Sequence, residues 1–192
     1  NPGPIKSGEM VTIRIDGASV QSTMSAQGIE LVRAIDGAWT LAKAGLNPAE
    51  KYAGRYGAFK DVFRNRVTFV YGTGGTPDER AWSYAKARYD AETLWVRGNA
   101  SPEVVADTAF SFKTKRDDNV VLYGHHGIIK NYGRFVDSVF SARSGELTYG
   151  DWSAKGGNLA FAFVRPKVGS KKALVGVVGG SGPIGMRLVN RL

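Results

Sequence analysis

Short runs of apolar residues that end directly in glycine constrain the fold of this chain more than any other feature. Three of them are RVTFVY at 66–71, NVVLY at 119–123 and ALVGVV at 173–178. Continuous apolar runs of this length are typical of strands in a sheet that is covered on both faces. Residues 104–105 and LAFAFV at 159–164 are two further strand candidates. Together they predict a mostly parallel sheet.

The first run leads into a helix. The glycine-rich turn 72–75 is followed by Thr76-Pro77-Asp78-Glu79, whose N-cap threonine, first-position proline and third-position glutamate form a capping box. We predict a helix from Pro77 to about Val96, a second over 131–140 and a third that begins at Pro183, with a short edge strand at 147–149. Alternating strands and helices predict a three-layer, doubly wound α/β sheet of the Rossmann or flavodoxin kind.

The N-terminal part has a different pattern. Apolar and polar residues alternate over 11–15 and again over 29–35, and these stretches run into Asp16-Gly17 and Asp36-Gly37. Alternation that ends in Asp-Gly is a strong hairpin signal, because both turn positions favour positive φ. We predict a small antiparallel β unit with a flexible lead-in over 1–43, a connector with a short helix over 44–65, and the α/β domain over 66–192.

Composition excludes several classes of protein. The chain has 192 residues, of which 43% are hydrophobic and 22% charged, which is typical of a globular domain. It has no cysteine, so disulfides, thiolate metal sites, iron–sulfur clusters and cysteine nucleophiles are ruled out. We expect no metal, no cofactor and no transmembrane segment. Because the chain begins at Asn1 and stops inside a predicted helix, we also expect it to be a piece of a longer protein.

The charge of the chain favours acidic partners. With 26 basic and 17 acidic residues, the formal net charge is +9. The basic segment 43–66 carries interleaved aromatic residues, as single-strand nucleic-acid grooves do. The same aromatic residues, Tyr52, Tyr56, Phe59 and Phe63, are spaced like one buried helix face. We prefer this packing interpretation and do not expect nucleic acid as a partner.

The glycine-marked strand ends are the candidate binding sites. Ligands of doubly wound sheets bind outside the carboxyl ends of the strands, so we predict a shared rim for a peptide, an ester or an anionic small molecule. The predicted ligand-binding residues are Tyr71, Gly72, Thr73, Gly74, Gly75 and Thr76 at the first strand end, Tyr123 and Gly124 at the second, and Gly179, Gly180 and Gly182 at the third. The first loop lacks the lysine of a P-loop, and the third lacks the acidic residue expected about 20 positions beyond a dinucleotide fingerprint.

Two residue types could carry chemistry. The adjacent His125 and His126 follow the second strand, where they are either two loop histidines or a source of a general base. Ser181 comes closest to a nucleophile elbow, although Pro183 stands in place of its last glycine. With an acid such as Asp107, these residues give the alternative of an autonomous serine esterase or peptidase. An anion- or nucleotide-binding module is a further alternative.

Several stretches resemble the C-terminal region of large secreted, prolyl-oligopeptidase-like proteins of the α/β-hydrolase superfamily. They are FVYGTGGTPDE at 69–79, AKARYDAETLWVRGN at 85–99, NVVLYG at 119–124 and residues 175–192. The resemblance covers about 29–192. It implies a non-catalytic accessory domain that caps or positions the substrate of an upstream hydrolase domain in the same parent protein.

The resemblance also implies a secreted or periplasmic protein whose parent acts on esters or peptides. The chain departs from the family pattern at Gly124-His125-His126, where Gly-Asn and small polar residues are expected. No catalytic residue of the family is carried over, because the chain contains none of the family's catalytic motifs.

Overall fold

The computed structural model describes residues 4–25, 28–34, 36–41, 58–137 and 139–191. The chain divides into two compact units, Asn1–Leu46 and Asn47–Leu192. Most of the predicted connector, together with the basic and aromatic segment up to residue 57, lies outside the described residues. None of the helices in the described part is long and apolar enough to cross a membrane.

The first unit contains two antiparallel hairpins. Their strands are β1 (Met10–Ile15), β2 (Ala18–Thr23), β3 (Leu31–Arg33) and β4 (Trp39–Leu41). Asp16 and Gly17 form the first turn with φ of 48° and 78°, the positive values that the Asp-Gly signal predicts. The Trp39 indole donates to the Asp16 carboxylate at 3.2 Å and joins the two hairpins. The predicted antiparallel β unit is therefore confirmed.

The second unit is a mixed α/β structure. Its elements are a 3₁₀ helix at Phe59–Phe63, β5 (Val67–Tyr71), α1 (Pro77–Gly98), β6 (Glu103–Ala106), β7 (Asn119–Tyr123), a 3₁₀ helix at Tyr132–Arg134, β8 (Phe140–Arg143), β9 (Glu146–Tyr149), β10 (Trp152–Lys155), β11 (Ala160–Pro166), β12 (Leu174–Gly180), α2 (Pro183–Leu188) and a 3₁₀ helix at Val189–Arg191. Five strands form the main sheet in the order β11-β12-β7-β5-β6. β12, β7, β5 and β6 are parallel and β11 is antiparallel at one edge, so the mostly parallel sheet is confirmed.

The apolar runs form the inner strands of this sheet. Every residue of β7 and of β12 is buried. On one face, Ala87 of α1 packs with Phe69, Val121 and Val178. On the other face, the sheet packs against Phe110, the 128–136 segment, β8 and β9. Burial on both faces explains why these strands read as continuous apolar runs and not as alternating ones.

Two element predictions are wrong. The predicted helix over 131–140 is replaced by one 3₁₀ turn, and Phe140 begins β8. Asn131 has a left-handed conformation with φ of 60°, and the Phe135 carbonyl accepts from the Val168 amide at 3.0 Å, so the helical ladder cannot propagate. The strand predicted at an edge over 147–149 is the central strand of the antiparallel sheet β10-β9-β8.

Candidate functional site

The three glycine-marked strand ends lie at one edge of the main sheet. β5, β7 and β12 are parallel neighbours, so the loops that follow them lie at the same edge of the sheet, which we call the carboxyl edge. Two backbone hydrogen bonds join these loops. The Gly124 amide donates to the Val178 carbonyl at 2.8 Å, and the Gly74 amide donates to the Ile128 carbonyl at 2.9 Å.

The glycines of the first two loops make room for Ile128, which is 1% exposed. A Cβ on Gly72 would lie 2.6 Å from the Ile128 carbonyl oxygen, and a Cβ on Gly75 would lie 2.3 Å from Ile128 Cγ2. A Cβ on Gly124 would lie 2.3 Å from Ile128 Cδ1. These contacts are closer than any side chain tolerates, so the glycines serve close packing.

The polar groups of the first loop, residues 72–76, already form hydrogen bonds to other residues of the chain. The Gly72 amide donates to the Ser83 hydroxyl at 2.8 Å, and the Thr76 amide donates to a carboxylate oxygen of Glu79 at 2.8 Å. The Thr73 hydroxyl donates to Asp107 at 2.7 Å. Together with the Gly74 amide, which bonds to Ile128, these donors already have partners. A bound anion would have to displace them, which makes the loop a poor anion cradle.

The third loop is a tight strand-to-helix turn. A Cβ on Gly180 would lie 2.3 Å from the backbone of Gly185, and a Cβ on Gly182 would lie 2.8 Å from the Gly157 carbonyl oxygen. A Cβ on Gly179 would meet the Gly124 carbonyl oxygen at 2.9 Å. These glycines let β12, α2 and the neighbouring loops approach one another closely.

The two adjacent histidines have different environments. His125 is buried, and its Nε2 lies 3.2 Å from Oε1 of the buried Glu79. The Gly127 amide donates to Nδ1 of His125 at 2.9 Å, so Nδ1 carries no proton and Nε2 donates to Glu79. His126 is exposed, and its ring packs against Tyr132 with 5.4 Å between centroids.

Electrostatics keep Glu79 ionised and His125 neutral near neutral pH. Burial lowers the pKa of His125 below the ordinary histidine value, and the Glu79 carboxylate only partly opposes this. Burial alone would raise the pKa of Glu79. Hydrogen bonds from the Thr76 amide, His125 and the Thr76 hydroxyl outweigh burial and lower this pKa below the ordinary glutamate value.

Ser181 is fully buried, at 0% exposure, and its hydroxyl is held by backbone groups. The hydroxyl donates to the Gly156 carbonyl at 2.5 Å and accepts from the Leu159 amide at 3.2 Å. Within the described residues no side chain bonds to this hydroxyl. The carboxylate of Asp107 accepts from Thr73 and from the Lys130 amide at 2.5 Å. Ser181, His125 and Asp107 thus each have separate partners.

The two tyrosines of the predicted rim lie on the face of the main sheet that α1 covers, which we call the α1 face. The ring of Tyr71 packs edge-on against Tyr84 of α1, with 5.0 Å between centroids. Tyr123 is 1% exposed, and its ring packs against Phe69 at 5.4 Å. Side chains alternate between the faces of a strand, so a strand-end residue need not point to the edge.

Sequence reasoning missed three residues that organise this edge. Glu79 is recognisable as part of the capping box, but nothing in the sequence pairs its second carboxylate oxygen with His125. Ile128 fills the glycine loops. Ser83 accepts from the Gly72 amide and donates to the Tyr123 carbonyl at 2.5 Å, which ties α1 to two strand ends. A small polar residue on the buried side of a helix was the available signal for Ser83.

Comparisons with known proteins found no match for this chain. No protein-family model, no curated protein and no solved structure matches this chain. In the described part of the chain, no cluster of three or more His, Asp or Glu side chains could hold a metal ion.

Proposed function

We propose that the α/β unit is a non-catalytic accessory domain of a prolyl-oligopeptidase-like serine hydrolase. One observation carries the non-catalytic part of the proposal: the Ser181 hydroxyl bonds to the backbone of Gly156 and Leu159, while the His125 imidazole bonds to Glu79 and Gly127. A serine nucleophile needs a general base within hydrogen-bond reach, and among the described residues no side chain bonds to the Ser181 hydroxyl.

The role we propose is capping or positioning of a substrate. His126 and Lys130 are exposed at the carboxyl edge, where they offer hydrogen-bonding groups and a positive charge. Such groups suit the polar end of a peptide or ester. The upstream hydrolase domain as partner, and a secreted or periplasmic location, follow from the sequence resemblance.

A doubly wound, three-layer arrangement belongs to the same proposal. β5 lies between β6 and β7, and β12 follows β7, so the four parallel strands, counted without the antiparallel β11, have the order 2-1-3-4 that begins flavodoxin-like sheets. The order reverses between β5 and β7. Ligands of such sheets bind at this reversal, where Thr73 and His126 lie, and this supports the carboxyl edge as the working surface.

Labelling with a fluorophosphonate probe, read by intact mass on the 192-residue chain, tests the proposal. The probe reacts with activated serines, and we expect no adduct on a chain whose dispersed NMR spectrum shows that it is folded. Ser181→Ala is the matched control. A stoichiometric adduct that disappears in Ser181→Ala would replace the proposal by the autonomous serine esterase or peptidase.

The anion- or nucleotide-binding alternative has a separate test. Because the amides of Gly72, Gly74 and Thr76 already donate within the chain, we expect inorganic phosphate and ATP to leave the melting temperature unchanged. A ligand at 100 times its dissociation constant would stabilise the fold by about 2.7 kcal/mol. A shift of that size, lost in Gly74→Val, would favour a binding module at the first loop.

A further inference from the structure

A cavity of about 400 Å³ lies on the face of the sheet that α1 covers. It is lined by Phe59, Phe63, Phe69, Lys86, Asp90, Thr93, Leu94, Tyr123, Ala162 and Val178. Its volume falls in the range of about 300–1,000 Å³ that is common for small-molecule sites. Most of its wall is aromatic or aliphatic, so a ligand there would be largely apolar.

The aromatic wall is built from consecutive rings. Phe59 lies 6.1 Å from Phe63, Phe63 lies 6.2 Å from Phe69, and Phe69 lies 5.4 Å from Tyr123, all measured between ring centroids. A Cβ on Gly176 would lie 3.0 Å from the Phe59 ring, so a glycine in the middle of β12 makes room for this wall. Tilted and edge-on rings of this kind favour an aromatic guest.

One side of the cavity carries a buried ion pair. Nζ of Lys86 lies 2.7 Å from Oδ1 of Asp90, and the two side chains are 3% and 23% exposed. The pair is spaced i,i+4 on α1, so both side chains share one helix face. Burial raises the pKa of Asp90, and the neighbouring Lys86 and Tyr123 side chains only partly oppose this. Removing two charges from water costs free energy that their attraction often fails to recover, so this pair is weak evidence for stability.

The polar pair selects the kind of ligand. The two charges cancel, so a carboxylate ligand would be attracted by Lys86 and repelled by Asp90, and an ammonium ligand would meet the reverse. A neutral hydroxyl or amide can accept a hydrogen bond from Lys86 and donate one to Asp90 at the same time. Hydrogen bonds to charged groups are stronger than neutral ones, so this head group would be held firmly.

We propose that this cavity binds a neutral aromatic molecule that carries one hydroxyl or amide group, with its ring among Phe59, Phe63 and Phe69 and its polar group on the Lys86–Asp90 pair. The site lies on the α1 face, and the proposal does not depend on the accessory-domain role proposed above.

Titration of the full chain with 2-naphthol, followed by ¹H–¹⁵N NMR spectra, tests the proposal. We expect saturable shifts that concentrate on the amides of Phe69, Leu94 and Val178. Naphthalene-2-carboxylate and 2-naphthylmethylammonium should bind at least tenfold more weakly, because each meets a like charge. Absence of saturable shifts, or equal binding of the charged analogues, would overturn the proposal.

Two variants localise the site without disturbing the core. Ala162 is exposed and lines the cavity, whereas Ala85 is exposed on α1 and does not line it. Ala162→Phe should abolish 2-naphthol binding by occupying the space, and Ala85→Phe should leave the binding unchanged. Unchanged binding in a folded Ala162→Phe chain would place the ligand elsewhere and refute the assignment.

Discussion

The Glu79 carboxylate lies 3.2 Å from the His125 imidazole, and their side chains are only 4% and 2% exposed. The pair connects the first turn of α1 to the loop that follows β7. Because Gly127 donates to the other ring nitrogen, the imidazole is held in its neutral form. The contact therefore ties the stability of this edge to pH.

Acidification should destabilise the protein from about pH 6.5 downward through His125. Burial lowers the pKa of His125 in the folded chain, so the unfolded chain, with its ordinary value of about 6.5, binds the proton first. The free energy of unfolding then falls by at most about 1.4 kcal/mol per pH unit for this single group. Urea unfolding at pH 5.0, 6.0, 7.0 and 8.0 measures the slope.

The neighbouring histidine supplies the control for this slope. His125→Asn should flatten the dependence between pH 5 and 6.5, while the exposed His126→Asn should leave it intact. Glu79 adds its own loss of stability only at lower pH, because its pKa is lowered from the ordinary value near 4.3. A slope that persists in His125→Asn would mean that another group titrates.

Gly72→Ala should destabilise the fold and Gly133→Ala should not. The new Cβ at Gly72 would lie 2.6 Å from the Ile128 carbonyl oxygen, a backbone atom that cannot move aside cheaply. We expect a loss of about 1–3 kcal/mol, as for other overpacked sites. At Gly133 no atom lies within 4 Å of the new methyl group. Thermal melts of the two variants should differ in midpoint, and equal midpoints would contradict the packing role of Gly72.

Local sequence signals correctly predicted the elements whose ends are set by a turn or a helix cap. Asp16-Gly17 sets its turn through two positive φ values, and the capping box of Thr76 and Glu79 begins α1 where predicted. The helix predicted over 131–140 failed because the apolar spacing of Tyr132, Phe135 and Val136 also suits an irregular segment. The bond from the Val168 amide to Phe135 fixes that segment across 33 positions of the chain, which no local pattern reveals.

The sequence located the strand ends, but it did not show which side chains pack into the glycine loops there. Parallel neighbours place the three glycine loops at one edge, as the apolar runs predict. Which atom fills each loop depends on contacts such as Gly124 with Ile128 and Ser181 with Leu159. Glycine permits both a bound phosphate and a packed side chain, so its presence alone does not distinguish a ligand site from a tight contact.

Ser181→Ala should lower stability without any change in reactivity toward fluorophosphonate. The substitution removes the hydrogen bonds to Gly156 and Leu159 in a site with 0% exposure. Leaving the partly buried Gly156 carbonyl and Leu159 amide without this partner costs about 1–3 kcal/mol. Urea unfolding measures the loss, and Ser153→Ala on exposed β10 is the control, with an expected change within about 0.5 kcal/mol. Equal stabilities of the two variants would argue against a structural role.

Lys167 should make the protein more stable as pH rises above 8. Burial lowers the pKa of Lys167 from 10.5 to about 8. The unfolded chain therefore holds this proton more tightly. The cost of burying the charged ammonium lowers the free energy of unfolding at neutral pH, and this cost disappears as pH rises from about 8 toward 10.5. Lys167→Met should remove this part of the pH dependence, and the exposed Lys113→Met should keep it. Urea midpoints at pH 7.5, 8.5 and 9.5 decide between these outcomes.

Lys86→Met should cost more stability than the double change Lys86→Met/Asp90→Leu. The single variant leaves the Asp90 carboxylate beside an apolar cavity without its cation, and burial already raises the pKa of this carboxyl. Breaking a buried pair in this way costs about 3–5 kcal/mol, and the 23% exposure of Asp90 favours the lower end.

The double variant replaces the Lys86–Asp90 pair by apolar side chains, so most of that loss should be recovered. Arg88 and Glu92 form a comparable i,i+4 pair on the same helix, but their side chains are 56% and 62% exposed. Arg88→Met should therefore leave the urea midpoint nearly unchanged, because water solvates the remaining carboxylate.

If the double Lys86/Asp90 variant were as unstable as Lys86→Met, the pair would be a structural contributor in its own right. If it is restored to near wild-type stability, the charges are dispensable for folding, and their place beside the cavity needs the explanation that ligand recognition supplies.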